Sequence, residues 1–438
     1  MLLNFQKHID THFSFLKSQK LLIAVSGGID SVVLAHLAHQ TNLDFALGHC
    51  NFQLREEESD GDELFVKELA QKLGVQVYTT KFATETYAQE HKLSIQVAAR
   101  NLRYEWFYQL LKEQGYQYVL TGHNTNDNLE TFLINLTRGT GLEGLTGIPP
   151  VNDQTVRPLL AFSRDEIKMY AIKNEIEWRE DRSNASVKYV RNKVRHQILP
   201  VLQDINPHIL ETFKKSLEHL NESQQIINDR VQEVSKDLIT TEGNITRINL
   251  KKLNKSSHKK AYLYQILHTY GFSEWNDVLD LVSAQSGKQL FSATHRLVKD
   301  RDYLLLVEID TKGTEKSSYL IKEGVPYIST PIPMKIESTL QDKAENSDEI
   351  IVDSDLISFP LILRKWKHGD IMYPTGMSGS KKISQLFKDK KLSLLEKENC
   401  WILTSYENEI IWVVGLRQDR RFLTNSQTLT KVKLSLTY

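Results

Sequence analysis

The chain is 438 residues long, which at about 100–200 residues per domain predicts two to four domains. Hydrophobic residues make up 40% and charged residues 25%, and no apolar run nears the ~20 residues that cross a bilayer, a composition expected of a soluble globular protein. A formal net charge of zero gives no global sign of nucleic-acid binding, and cysteines at only Cys50 and Cys400 exclude a disulfide framework or multi-cysteine zinc site and point to a reducing cytoplasm.

In chain order, "MLLNFQKHIDTHFSFLK" has an acid, a broken apolar pattern and no small-residue cleavage site, so it reads as a short amphipathic helix rather than a signal peptide. Strand patterns follow at 21–25, 45–49, 75–82, 118–122 and 156–160. Helix patterns fall between and after them, at 31–39, 60–73, 96–113, 126–137 and 164–174. The last opens with a capping box, Ser163 to Glu166. This alternation predicts an α/β domain: a doubly wound parallel sheet with helices on both faces and its ligand site at the strand C-termini. A long polar-rich helix is expected over 205–235. Residues 245–310 read as a small middle domain of helices followed by strands, and the acidic stretch 338–350 as a boundary. Short alternating segments over 360–438 predict a compact β-rich C-terminal domain. The resulting division is 1–215, 216–337 and 350–438.

The neutral total conceals local bias. Residues 361–438 hold fourteen Lys/Arg against seven Asp/Glu, and "REDRSNASVKYVRNKVR" (179–195) holds six against two. Residues 338–356 hold six acids and one lysine.

The stretch "LLIAVSGGIDSVVLAHLA" runs from Leu21 to Ala38: a strand, a Gly-Gly turn and a helix. Free first-turn amides and the positive dipole end make such a junction an anion site, and glycines let the backbone approach a phosphate. An ordinary strand–turn–helix remains the alternative. No Walker lysine is present; Asp30 stands in the loop instead and would repel phosphate unless a cation, naturally Mg²⁺, bridges them. Asp127 opens a later helix as a second carboxylate, or simply as an acid favoured by the dipole. Glu130 shares its helix face. Arg100 and Arg103 lie one turn apart, as a phosphate-stabilising pair or a solvated face. Arg191 and Arg195, four apart with Lys188 nearby, suit a nucleic-acid backbone track. Lys381 and Lys382 begin a basic run with the same two readings. "GTGLEG" (139–144) follows a helix, which argues against a dinucleotide fingerprint.

The full string Ser26-Gly27-Gly28-Ile29-Asp30-Ser31 resembles the pyrophosphate loop of the N-type ATP pyrophosphatases, the PP-loop superfamily with its adenine nucleotide alpha hydrolase-like fold. "LGHCNFQLREEES" (47–59), "TGHNTNDNLETFLINLTRGTGLEGLTGI" (121–148), "VRPLL" (156–160), "EDRSNASVKYVRNKVRHQILPVL" (180–202) and "RKWKHGDIMYPTGMSGSKKISQLFKDKK" (364–391) together resemble the tRNA(Ile)-lysidine synthase family. Phe52 stands where that family often has histidine, whereas His49 is in place.

The resemblance implies an enzyme that uses ATP and Mg²⁺ to adenylate the C2 oxygen of the wobble cytidine of an isoleucine tRNA with a CAU anticodon. Free L-lysine then displaces AMP to give lysidine, switching codon reading from AUG to AUA. It implies that Ser26, Gly27, Gly28, Ile29, Asp30 and Ser31, with His49 and His123, bind the nucleotide. Asp30 and Asp127 hold the metal, and Asp30, Asp127, Arg103 and Glu130 are catalytic. Arg55, Arg100, Asn124, Lys188, Arg191, Arg195, Lys381 and Lys382 meet lysine or tRNA. A cytoplasmic enzyme is implied, with a homodimer left open. A tRNA thiolase using the same loop is the main alternative. Two isolated cysteines argue against its sulfur chemistry, as Leu2 after Met1 argues against an amidotransferase and the intact loop against a non-catalytic tRNA binder.

Overall fold

The N-terminal stretch forms helix α1, Leu2–His12, which buries Phe5 and Ile9 one turn apart and leaves its polar face outside. The computed structural model describes residues 1–180, 190–309 and 317–437. They divide into two compact units, Met1–Asn228 and Asp229–Tyr438.

In the first unit the alternation is realised as β1 (Leu21–Ala24), α2 (Ile29–Gln40), β2 (Phe45–Asn51), α3 (Glu56–Leu73), β3 (Val77–Lys81), α4 (Thr84–Glu90), α5 (Ile95–Gln114), β4 (Tyr118–Leu120), α6 (Thr125–Arg138), α7 (Leu142–Leu145), β5 (Val151–Asn152), β6 (Thr155–Val156) and α8 (Arg164–Lys173). The sheet order is β3-β2-β1-β4-β6-β5. All neighbours are parallel except β5, a two-residue antiparallel edge on β6. α1, α2, α3 and α8 bury Ile9, Val32, Leu37, Val66 and Ile167 on one face of the sheet. α5 buries Phe107, Leu110 and Leu111 against Leu22, Ala46 and Val119 on the other. The strand order reverses at β1, with β2 on one side and β4 on the other. The crevice between the C-terminal ends of β1 and β4 is therefore the ligand position in such a sheet.

The last expected strand is cut shortest against its pattern. The run 156–160 stays in the sheet only to Val156; Pro158 lacks the N–H a ladder needs, and Pro158–Ala161 winds into a 3₁₀ turn. Beyond the undescribed residues come α9 (Val190–Lys193), a π turn (Val194–Ile198), α10 (Leu199–Ile205) and α11 (Ile209–Leu238). Val194, Leu199, Phe213 and Leu217 pack with Leu129 of α6, which brings this segment against the start of that helix.

In the second unit the end of α11 is followed by strands, not by the expected helices. Ile239–Glu242 and Ile245–Asn249 pair as a hairpin around Gly243, whose φ is +59°. They precede helices Lys259–Leu267 and Trp275–Ser283, and Ile245–Asn249 joins a five-stranded antiparallel sheet with Tyr303–Glu308, His295–Asp300 and Gln289–Phe291. Threonines and isoleucines alternate in that hairpin, a strand composition that the expected helices-then-strands order overlooks.

The β-rich portion is larger than expected. Ser318–Ile321 pairs with Leu361–Lys365, and Met334–Ser338 with Lys431–Leu436. The acidic stretch 338–350, expected as a boundary, is a connection inside this sheet system. Its Asp342 and Glu349 form ion pairs with Lys431 and Lys433 on the neighbouring strand, so part of the C-terminal basic excess is neutralised by the segment that resembled a linker. Among the described residues no helix is long and apolar enough to cross a membrane.

Candidate active site

The turn after β1 is built to expose amides. Gly27 adopts φ +90°, a conformation that a side chain would strain, and Gly28 caps α2. Ser31 Oγ donates to Gly28 O at 2.9 Å and accepts from Ser26 N at 3.2 Å, while Gly28 N donates to Ser26 Oγ at 3.4 Å. The loop is thus held in shape by its own hydroxyls. Ile29 is buried in the core beside Val32 and Val33, so it anchors the helix and has only backbone to offer a ligand. His49 is buried beneath the loop; its Nδ1–H donates to Val25 O at 2.8 Å, burial lowers its pKa, and Nε2 has no partner. It supports the strand that feeds the loop.

Gly122, just past β4, explains how the two strand ends come so close. A Cβ there would lie 2.9 Å from the backbone of Asp30 and Ser31. Two residues on, Asn124 caps α6 and links the halves of the crevice. Its Oδ1 accepts from Asp127 N at 3.1 Å and its Nδ2 donates to Asp30 Oδ1 at 3.0 Å. Asp127 completes the capping box by accepting from Asn124 N at 3.0 Å, so the helix-terminal role foreseen for it is present beside any other. Burial first, and the Asp127 carboxylate second, raise the Asp30 carboxyl to about 6, against the pull of Asn124, Arg164 and Arg195. Two carboxylates therefore face each other with less positive charge between them than they need.

Glu130 is completely buried. Arg195 Nε donates to its Oε1 at 2.6 Å and Arg191 Nε to its Oε2 at 2.8 Å, and both arginines reach Asp127 Oδ1 at 3.1 Å. Arg191 lies on α9 and Arg195 on the π turn. The four-residue spacing does align them, but their guanidiniums are spent on two carboxylates rather than displayed as a row for a nucleic-acid backbone. Lys188 lies outside the described residues.

A third group occupies the α5 face of the crevice. His123 Nδ1 bonds Thr121 Oγ1 at 2.9 Å. Burial, then the charges of Arg157, Arg191, Arg100 and Arg103, push His123 down to about 3, so it is neutral at physiological pH. Arg100 stacks over Tyr104 at 4.9 Å and Arg103 over Phe52 at 5.2 Å. Phe52, the departure from the family pattern, thus gives Arg103 an uncharged platform, itself stacked on Phe82. Arg55 pairs with Asp62, which also takes Arg179, whose amide donates to Gly27 O at 3.0 Å. Arg55, Glu58, Asp62, Arg179 and Glu180 line a cavity of about 370 Å³ beside the loop. Lys381 and Lys382 belong to the second unit, where Lys381 pairs with Asp389 and Lys382 is exposed.

Sequence reasoning assigned no role to Gly122, Asp62, Arg179 or Arg157. Only Arg157 carried a usable signal, a charge at the end of a buried strand in "VRPLL".

A phosphate loop on β1, faced across a switch point by an acidic cluster on α6, defines a PP-loop ATP-using domain. A family profile described as "PP-loop domain" matches residues 1–202, and profiles described as "TilS substrate binding domain" and "TilS substrate C-terminal domain" match 241–309 and 361–434. The chain is 38% identical over 428 residues to a tRNA(Ile)-lysidine synthase of Bacteroides thetaiotaomicron, covering 96% of each. It is 29% identical to one of Bacillus subtilis, covering 94% of this chain and 92% of that one. A solved TilS C-terminal domain is 25% identical, with a TM-score of 0.25, over 27% of this chain and 95% of that one. The chain belongs to the tRNA(Ile)-lysidine synthase family of enzymes.

Proposed function

We propose that this enzyme joins free lysine to C2 of the wobble cytidine, position 34, of the isoleucine tRNA bearing a CAU anticodon. In the first step the C2 oxygen attacks the α-phosphorus of ATP, forming a C2–O–P bond and releasing pyrophosphate. In the second the lysine ε-amine attacks C2; the C–O bond breaks, AMP leaves, and the amine loses a proton. The product is lysidine, which reads AUA instead of AUG.

The loop 26–31 cradles the departing pyrophosphate mainly with the amides at the start of α2, since Ser26 N and Gly28 N donate to the loop's own hydroxyls. Asp30 is the better-suited metal ligand: one side-chain amide bonds it, whereas both oxygens of Asp127 already accept. Mg²⁺ held by Asp30 and phosphate oxygens would neutralise the charge that develops on pyrophosphate. Arg103 stabilises the phosphate that stays with the cytidine, with Arg100 beside it. Glu130 and Asp127 act by fixing Arg191 and Arg195 beside the crevice, since the oxygens of both carboxylates already accept from those guanidiniums or from the helix cap. Arg55 and the lysines of the second unit, Lys381 and Lys382, meet tRNA. The reaction takes place in the cytoplasm.

The observation that carries this reading is the Asp30–Asn124–Asp127 chain, which joins the phosphate loop to the acidic cluster across the switch point. Burial pushes the thiols of Cys50 and Cys400 up to about 12, so neither is a thiolate at neutral pH, which weighs against the thiolase alternative. The test is incubation with ATP, Mg²⁺, labelled lysine and tRNA. Label in the CAU isoleucine tRNA alone is expected. Equal labelling from any amino acid, or none with cognate tRNA present, would overturn it.

A further inference from the structure

Arg157 is 5% exposed and has no carboxylate partner among the described residues. Its Nη1 donates to Pro149 O at 2.8 Å, and its Nε is buried with no acceptor. A buried guanidinium with so few of its hydrogen bonds made is costly and persists in a fold when something outside the apo chain completes it. Every other arginine that acts on His123 is otherwise engaged: Arg191 on Glu130 and Asp127, Arg100 and Arg103 on aromatic rings.

Its position says what kind of group completes it. Val156 is in register with Leu120, so Arg157 follows β6 at the level where Thr121 follows β4. It therefore stands at the same strand edge as the phosphate loop, two strands along. Thr155, two residues earlier and so on the same sheet face, meets Tyr108 of α5 at 3.3 Å. That puts Arg157 on the face that carries Arg100 and Arg103, three guanidiniums without a carboxylate partner among the described residues, acting on one neutral imidazole. Such a basin takes an oxyanion. A side chain buried this deeply is poorly placed for a nucleic-acid backbone at the surface, and its place at the strand edge favours a small ligand bound in the crevice.

We propose that Arg157 is a nucleotide-binding residue, which completes its hydrogen bonds on the α-phosphate of ATP and keeps hold of that phosphate in the adenylated cytidine after pyrophosphate leaves, until lysine displaces it as AMP. The proposal rests on the reading of 26–31 as the pyrophosphate loop, and the two are separable. In the full-length protein without tRNA, AMP and pyrophosphate affinities are measured by calorimetry for wild type, Arg157→Met and Arg157→Lys, with melting temperature and tRNA affinity alongside. Arg157→Met is expected to weaken AMP about 10–100-fold, the range of one charge-assisted hydrogen bond or more. Pyrophosphate and tRNA affinities should stay within about twofold, because neither needs the buried guanidinium, and the melting temperature should not fall. Arg157→Lys keeps the charge but not the fork and should recover part of the AMP affinity; it carries the test alone if the methionine variant does not fold. Unchanged AMP affinity in both variants overturns the proposal, as does a loss confined to tRNA or to the KM for lysine. Failure of wild type to bind pyrophosphate would instead defeat the reading of the loop.

Discussion

Asp30→Asn separates two consequences of one carboxylate. In the folded chain Asp30 titrates near 6, against an ordinary 3.8, through burial and the Asp127 charge. The native state therefore holds this proton more tightly than the unfolded chain does. Its stabilising effect is present below 3.8 and is lost as pH rises through 6. Above both values the ionised carboxylate costs about 3 kcal/mol, and near pH 4.5 about 1 kcal/mol. Asparagine keeps Oδ1 for the Asn124 bond and removes the charge. Without nucleotide or metal, the variant should exceed wild type by these amounts. For a unit of this size that is on the order of 5–10 °C in melting temperature at pH 7.5, shrinking to a few degrees at pH 4.5. Melts across that range in EDTA provide the assay, and pyrophosphate release should be abolished in the same variant. An offset that does not change with pH, or a variant less stable than wild type at pH 7.5, would refute the account of a carboxylate kept short of cations.

Glu130→Ala leaves Arg191 and Arg195 over an empty buried site and should cost about 3–5 kcal/mol; adding Arg195→Met should return part of that loss in urea unfolding. Gly122→Ala places a methyl against the backbone of Asp30 and Ser31 and should cost about 1–3 kcal/mol while raising the KM for ATP more than that for lysine. Phe52→Ala removes the platform under Arg103, a contact of about 0.5–2 kcal/mol, and should lower kcat up to about tenfold, whereas Phe52→Tyr should not. Lys382→Glu with Lys390→Glu, both exposed, should weaken tRNA binding and flatten its salt dependence without altering ATP affinity.

Local patterns were enough for the central strands β1, β2 and β4, each a largely apolar run closed by a polar or glycine punctuation mark, but not for the two-residue edge strand β5 or the short helices α4 and α7. The phosphate loop, Asp30 and Asp127 were legible for the same reason: each sits where a strand pattern ends. What the sequence hid was pairing across distance. Met334–Ser338 and Lys431–Leu436 are about a hundred residues apart, and nothing local in either segment announces the other. Asp342 and Glu349 read as linker acids because their lysine partners lie on that remote strand. Arg191 and Arg195 show the same limit inside the site. Spacing put them on one face correctly, but the face turned inward once Leu129, Val194 and Phe213 packed together.

Charge in the crevice is sorted rather than balanced. Near β1 and α6, Asp30, Asp127 and Glu130 are answered by Arg191 and Arg195, and Asp30 receives too little of that positive charge. On the α5 side, Arg100, Arg103 and Arg157 have no carboxylate partner among the described residues and depress His123 instead. A bare triphosphate would be repelled at the first place and attracted at the second. A nucleotide carrying a divalent cation would suit both: Asp30 would hold the cation, which would neutralise phosphate charge there, and the guanidiniums would accept a phosphate. On the proposed reading, the acid in the phosphate loop would help orient the nucleotide, by favouring at Asp30 whichever end carries a cation.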